Sequence, residues 1–127
     1  MSAPRITLDQ WAALVAVVEA GGYAQASARL HRTQSTVTYT IKKLEDLLGV
    51  KVFELQGRKA VLTPTGKVLY RRGKSLLDEA ARVERAAADL ARGWEPELRI
   101  AVDIVFPTWL LLECCAEFGR ERPEIRI

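Results

Sequence analysis

The sequence predicts a mainly α-helical chain of three short helices, a two-stranded hairpin, one long helix and the opening of an α/β unit. Three observations carry that prediction. Apolar residues recur at helical spacing through residues 8–18 and 37–48, switch to short β-type runs after Gly49, and return to a helical repeat over 64–92. Each stretch has its own capping or turn residues at its ends. The charge is also uneven along the chain.

With 127 residues there is room for one ordinary domain, or a small domain with an appendage. Apolar residues at 49% and charged residues at 28% suit a soluble globular protein. The net charge of +3 conceals an asymmetry: residues 24–74 hold eleven basic side chains against three acidic ones. The segments on either side are both net negative. A basic middle between acidic ends is the footprint of a surface that meets polyanions, although an ordinary solvated basic face would look the same by charge alone. The longest uncharged apolar stretches, 11–18 and 104–112, are too short to cross a bilayer. No signal-peptide architecture follows Met1, which predicts a cytoplasmic location. Cys114 and Cys115 are neighbours, a spacing that suits neither a zinc site nor a Cys-x-x-Cys redox pair, and are expected as buried, reduced thiols.

The elements follow in order. Thr7-Leu8-Asp9-Gln10 is a capping box. After it Leu8, Trp11, Leu14, Val15 and Val18 form an apolar stripe that Gly21-Gly22 ends. A second helix fits residues 24–31, with Ala26 and Leu30 inward. Thr33 is a good N-cap for a third helix that ends at Gly49 and buries Val37, Ile41, Leu44 and Leu48. Its opposite face carries Ser35, Thr38, Tyr39, Lys42 and Lys43. Two short helices joined by a tight turn, the second polar and basic outside, make a helix-turn-helix pattern. Val50, Val52 and Phe53 then read as a strand, 56–59 as a turn and 60–62 as the returning strand, which makes the unit a winged helix.

Thr63 and Pro64 start a fourth helix of roughly 40 Å at 1.5 Å per residue. Leu69, Leu76, Val83 and Leu90 fall seven apart, and Gly73, Ala80, Ala87 and Trp94 follow each by four. That is a coiled-coil seam with bulky residues on one line and mostly small ones on the other, so self-association through Leu69, Gly73, Leu76, Ala80, Val83, Ala87 and Leu90 is expected. Gly93 to Pro96 break the helix, 98–102 read as a strand, an apolar helix opens at Pro107-Thr108, and 125–127 look like a second strand. A β-α-β start cannot by itself build a covered parallel sheet, so the chain is expected to be a fragment. The expected division is a winged helix-turn-helix at 1–63, a linker and dimerisation helix at 64–93, and a truncated α/β start at 94–127.

Residues 8–66 together resemble the LysR-type helix-turn-helix domain. Leu8-x-x-Trp11-x-x-Leu14 opens it, and Val18-Glu19-Ala20-Gly21-Gly22-Tyr23 ends the first helix. Ala26-Ser27-Ala28-Arg29-Leu30 stands for the family's Ala-Ala-x-x-Leu. Gln-Ser-Thr-Val-Thr-Tyr-Thr-Ile-Lys-Lys-Leu-Glu-Asp-Leu-Leu-Gly-Val at 34–50, Val-Phe at 52–53 and Leu-Thr-Pro-Thr-Gly at 62–66 complete it. Five pieces in order at family spacing are specific where no single piece is. The resemblance implies a bacterial transcription regulator, a dimer or tetramer on double-stranded promoter DNA, with a small-molecule effector only in the intact protein. It places helix 34–48 in the major groove and the wing, 54–60, along the backbone or minor groove. Gln34, Ser35, Thr36, Thr38 and Tyr39 become the groove contacts and Arg58 the wing contact. Lys42, Lys43 and Lys59 are better placed for phosphates, where they supply affinity rather than sequence choice.

The chain departs from the family in three places. Ser35 and Tyr39 stand where many relatives carry Pro and Arg, so no arginine is offered there to read guanine. Leu55 stands where the wing often has arginine. Gly22 and Ala24 replace hydroxyl residues that commonly cap the second helix.

Other residues fit plainer roles. His31 is the sole histidine and has no partner ligands for a metal. Trp11 belongs to the core, and Trp94 and Trp109 flank the start of the α/β unit. Thr108, at a helix start that favours anions, marks no complete site. Glu45-Asp46 and Asp78-Glu79 are adjacent on helices and point to different faces, and Gly66-Lys67 lacks the glycine spacing of a phosphate loop. No enzyme, catalytic residue, metal or cofactor is therefore expected. The alternatives are a winged helix used for protein contact, or a regulator of another winged-helix class such as the molybdate-responsive proteins.

Overall fold

The computed structural model describes residues 2–127. It contains α1 (Leu8–Ala20), α2 (Tyr23–Leu30), α3 (Gln34–Leu48), β1 (Phe53–Gln56), β2 (Lys59–Leu62), α4 (Pro64–Ala91) and α5 (Thr108–Glu121). Two compact units are present, one up to residue 79 and one from Ala80 to Ile127.

In the first unit most helix boundaries have a local cause. The capping box of α1 is formed: Gln10 N–H donates to Thr7 Oγ1 at 3.2 Å, and Thr7 N–H donates to Gln10 Oε1 at 2.8 Å. Gly21 ends α1 with φ 89°, a value costly for any residue with a Cβ. The second helix starts one residue earlier than 24–31 predicts and stops at Leu30. His31 is left-handed (φ 51°), and Arg32 N–H folds back to Ser27 O at 3.1 Å, so His31 caps the helix instead of extending it. Thr33 Oγ1 accepts from Thr36 N–H at 3.2 Å, as an N-cap should.

Ala13, Leu14, Val17, Ala26, Val37, Ile41, Leu44 and Val52 form the buried core of this unit, with Trp11, Leu30, Leu48, Phe53 and Leu69 packed around it. The buried line on α1 differs from the predicted stripe: Leu8 is exposed, while Ala13 and Val17 are inside. Residues 11–18 are apolar all round, so their own periodicity cannot select a face. The neighbouring helices select it.

The hairpin also shifts. Residues 50–52 do not join the strand, because other groups hold their backbone. Val52 N–H donates to Glu45 Oε2 at 2.7 Å, and Val52 O accepts from Thr63 N–H at 2.9 Å. Pairing begins instead at Phe53↔Leu62 and ends at Gln56↔Lys59. The two-residue turn has positive φ only at Gly57, the pattern of a type II′ hairpin with glycine first. Thr63 caps α4 through Gly66 N–H at 2.9 Å, and its hydroxyl donates to Lys51 O at 2.6 Å.

In the second unit the strand predicted over 98–102 is not formed. A single parallel bridge, Glu97↔Arg126, joins the two ends of the α5 crossover, with Leu98 N–H donating to Arg126 O at 2.7 Å. This is the start of a β-α-β crossover. Parallel pairing is stable when both sheet faces are covered, and Ile100, Val102 and Ile104 are exposed here. The cysteines also depart from expectation: Cys114 is exposed and Cys115 half-buried on α5. The buried polar residue is Asp89, which accepts from Arg92 and Arg122, while Arg122 also lies 4.6 Å from the Trp94 ring centroid. No helix among the described residues is long and apolar enough to cross a membrane.

Candidate nucleic-acid interface

Burying Val37, Ile41 and Leu44 turns the other side of α3 outward, so Gln34, Ser35, Thr36, Thr38, Tyr39, Lys42 and Lys43 are all exposed. The hydroxyls are not equally free. Thr38 Oγ1 donates to Gln34 O at 2.9 Å, which leaves its lone pairs and methyl to a partner. Thr36 Oγ1 lies 2.7 Å from Thr33 Oγ1, within the cap itself. Tyr39 projects with 65% of its surface exposed, and Lys43 Nζ sits 5.9 Å from its ring centroid. That distance is at the outer edge of a cation–π contact, and most of the ring stays open to a partner.

The wing approaches the start of α3. A cleft of about 640 Å³ is lined by Gln34 from α3, by Leu55, Arg58 and Lys59 from the hairpin, and by 21–25 at the start of α2. Gln34, Arg58 and Lys59 are thus brought together. The other six α3 residues lie outside the cleft on the neighbouring exposed face. Gly22, the N-cap of α2, makes no side-chain cap, as the missing hydroxyl at that position predicts. The backbone there is open toward the same cleft.

Two further contributors were not singled out as site residues. Leu55 is 76% exposed and lines the cleft, an apolar surface in the company of Gln34, Arg58 and Lys59. Its place in the wing is readable in the sequence, but its neighbours depend on how the hairpin folds back. The second is the tie between α1 and α4. Glu19 accepts from Tyr70 Oη at 3.1 Å and from Lys74 Nζ. Lys74 in the first place, then Tyr70, hold the Glu19 carboxyl below its ordinary range, and Glu19 in turn raises Lys74. Tyr70 and Lys74 are four apart on one helix face, the one sequence signal for this tie. Burial beside Phe53 pushes the Tyr23 phenol upward, with the Glu45 charge adding to it.

The seven residues of the expected seam fall into two groups. Leu69 packs on the core of the first unit, and Gly73 is buried against Trp11. Leu76, Val83 and Leu90 keep 44%, 61% and 41% of their surface exposed, with Ala87 exposed and Ala80 partly so. A heptad repeat alone does not separate residues that meet the chain's own core from residues left open.

The family model described as bacterial regulatory helix-turn-helix protein, lysR family, matches residues 8–67. The uncharacterized HTH-type transcriptional regulator YeeY of Escherichia coli (strain K12) is 37% identical over 120 residues, which is 94% of this chain and 39% of that protein. Among solved structures, the BenM DBD/catB site 1 DNA complex matches with a TM-score of 0.66 at 28% identity, over 68% of this chain and 94% of that one. CbnR, a LysR family transcriptional regulator, matches with a TM-score of 0.68 at 30% identity, over 94% of this chain and 42% of its own. The chain spans 39% of the length of YeeY. Through its helix-turn-helix residues 8–67, the chain belongs to the LysR family of bacterial regulatory proteins.

Proposed function

We propose that this chain reads duplex promoter DNA sequence-specifically, as a homodimer, and forms the DNA-binding part of a LysR-type transcription regulator. The observation that carries the proposal is the cleft in which Gln34, at the exposed start of α3, meets Arg58 and Lys59 of the wing. Gln34, Ser35, Thr36, Thr38 and Tyr39 enter the major groove. The Gln34 amide pairs with adenine through two hydrogen bonds, and the Thr38 methyl packs on thymine. Tyr39 offers a hydroxyl and a ring edge where relatives offer arginine, so operator preference differs from theirs at that base step. Lys42, Lys43 and Lys59 neutralise phosphates, and Arg58 follows the wing into the minor groove or along the backbone.

Leu76, Ala80, Val83, Ala87 and Leu90 form the open part of the dimer seam, and Leu69 and Gly73 seat its first turns on the DNA-binding domain. Domain roles divide at residues 63 and 93, with 94–127 belonging to an effector-binding α/β domain whose small-molecule ligand acts in the longer protein. The chain works in the cytoplasm and catalyses no reaction. BenM DBD in its complex with catB site 1 DNA supports the DNA-binding part of this reading.

The test is selection from a random duplex pool at several salt concentrations. An inverted-repeat consensus is expected, with log affinity falling linearly against log salt at a slope of about −0.9 per phosphate contact. Retention without a consensus would remove the dimeric reader. No retention at low salt would make the winged helix a protein-contact module.

A further inference from the structure

We infer that the contact of Gly73 with Trp11, together with the Glu19 tie beside it, sets the angle at which α4 leaves the three-helix head and thereby the half-site spacing the dimer selects. The inference rests on the dimeric reading above.

Gly73 is buried, and a Cβ built there would stand 2.9 Å from Trp11 Cε3, 3.5 Å from Cζ3 and 3.6 Å from Cδ2. The backbone of α4 therefore lies directly on the six-membered ring of the indole. Earlier on the same line of the helix, Leu69 packs on the core, and a Cβ at Gly66 would stand 2.1 Å from Val52 O. Gly66, Leu69 and Gly73 follow at spacings of three and four, so one edge of α4 is pressed onto the head with almost no side chain between. Beside that edge, Tyr70 and Lys74 reach Glu19 in the last turn of α1. Trp11 and Glu19 are eight residues apart, roughly 12 Å along α1. On α4 the close approaches at Gly66 and Gly73 are seven residues apart, roughly 10 Å along the helix, and together with the two points on α1 they define a direction as well as a contact.

Leu76, the next seam position, is already open. In a two-fold dimer joined through α4, any tilt at Gly73 is applied once in each protomer, with opposite sense across the axis. The separation and relative phase of the two α3 helices must follow it. A methyl group at residue 73 has two outcomes: Trp11 yields, or α4 tilts. Trp11 and Leu69 are both packed against the core, whereas Leu76 beyond residue 73 is open, so the part free to yield is α4 after Gly73.

The experiment is the same random-pool selection, read for half-site spacing instead of affinity, on the wild type, Gly73→Ala, the double variant Gly73→Ala with Trp11→Leu, and Glu19→Gln. Gly73→Ala is expected to shift the preferred spacing by about one base pair or to admit neighbouring spacings. The double variant, which returns room for the methyl, restores the wild-type spacing. Glu19→Gln keeps the preferred spacing and widens the tolerance around it. A Gly73→Ala protein that binds more weakly at every spacing, with the wild-type preference intact, overturns the inference. If circular dichroism shows Gly73→Ala unfolded, Glu19→Gln decides: unchanged tolerance overturns the inference, and widened tolerance supports it. A wild type that yields no inverted repeat refutes the dimeric reading and the inference with it. A wild-type repeat with insensitive variants refutes the inference alone.

Discussion

Up to residue 79 the chain buries Leu14, Val37, Ile41, Leu44 and Val52 almost completely, whereas from Ala80 onward Ile104, Val105, Trp109 and Leu112 remain open and the buried residues are Asp89 and Ile125. The two stretches are similarly apolar in sequence, so hydrophobicity does not separate them. The first holds three short helices whose stripes close on one another, with a hairpin and the first turns of α4 completing the enclosure. The second holds the last turns of α4, the helix α5 and one parallel bridge, which present apolar faces without opposing layers. Burial depends on partners, and a β-α-β opening needs more of them than a helix-turn-helix does.

The largest expected effect sharpens this contrast. Leu14→Ala should destabilise the first unit by about 3 kcal/mol, the lost transfer energy plus a cavity. Leu112→Ala, at a position 64% exposed, should cost less than about 0.5 kcal/mol. Equal shifts of the urea midpoint in the two variants would erase the distinction.

Next comes the polar centre of the second unit. Asp89→Ala removes the closer of the two carboxylates that pair with the half-buried Arg122 and leaves Glu124 at 4.0 Å, a loss of about 2 kcal/mol. Amide exchange around Ile125 should accelerate and Trp94 fluorescence should change, while protection in α1–α3 stays as in the wild type. Uniform loss of protection would mean that the two units unfold together.

A smaller effect tests local capping. Thr33→Ala should lower stability by about 1 kcal/mol and Thr33→Ser by far less, because the hydroxyl is what the Thr36 N–H needs. Thermal melts of the two variants would show it, and equal melts would remove the cap from the account of α3.

The smallest effect concerns Glu19. Its carboxyl sits below the ordinary 4.5, chiefly because Lys74 donates to it, so its contribution is complete above that value and fades as pH falls through the lowered one. Lys74 has the opposite sign: raised above 10.5, it contributes below that value and loses its contribution as pH rises past its own. Acid titration of the urea midpoint should therefore be shallower in Glu19→Gln than in the wild type, and an identical acid limb would leave the tie without energetic weight.

Much of the first unit was legible because its signals are local. Thr7 with Gln10, Thr33, Gly49 and Thr63-Pro64 mark helix ends through hydrogen bonds spanning a few residues, and the stripe Val37, Ile41, Leu44 belongs to one helix. The outward face of α3 followed directly. What failed was non-local. Leu8 and Val17 exchanged places because the apolar run 11–18 takes its inward face from its neighbours. Residues 50–52 left the hairpin because Glu45 and Thr63 bind their backbone. The strand at 98–102 and the buried cysteines were read as though opposing layers were present.

By itself, then, the sequence determined the order of elements as far as α4, the caps at Thr7, Thr33, Gly49 and Thr63, the turn at Gly57 and which side of α3 carries Gln34, Tyr39, Lys42 and Lys43, since each of these rests on spacing within one segment. Only the tertiary structure decided that Gln34 shares a cleft with Leu55, Arg58 and Lys59, and that Leu69 and Gly73 meet the head while Leu76 stays open. Those outcomes depend on how far one backbone can approach another, and a repeat of seven residues is the same whether the surface it meets is its own or another's.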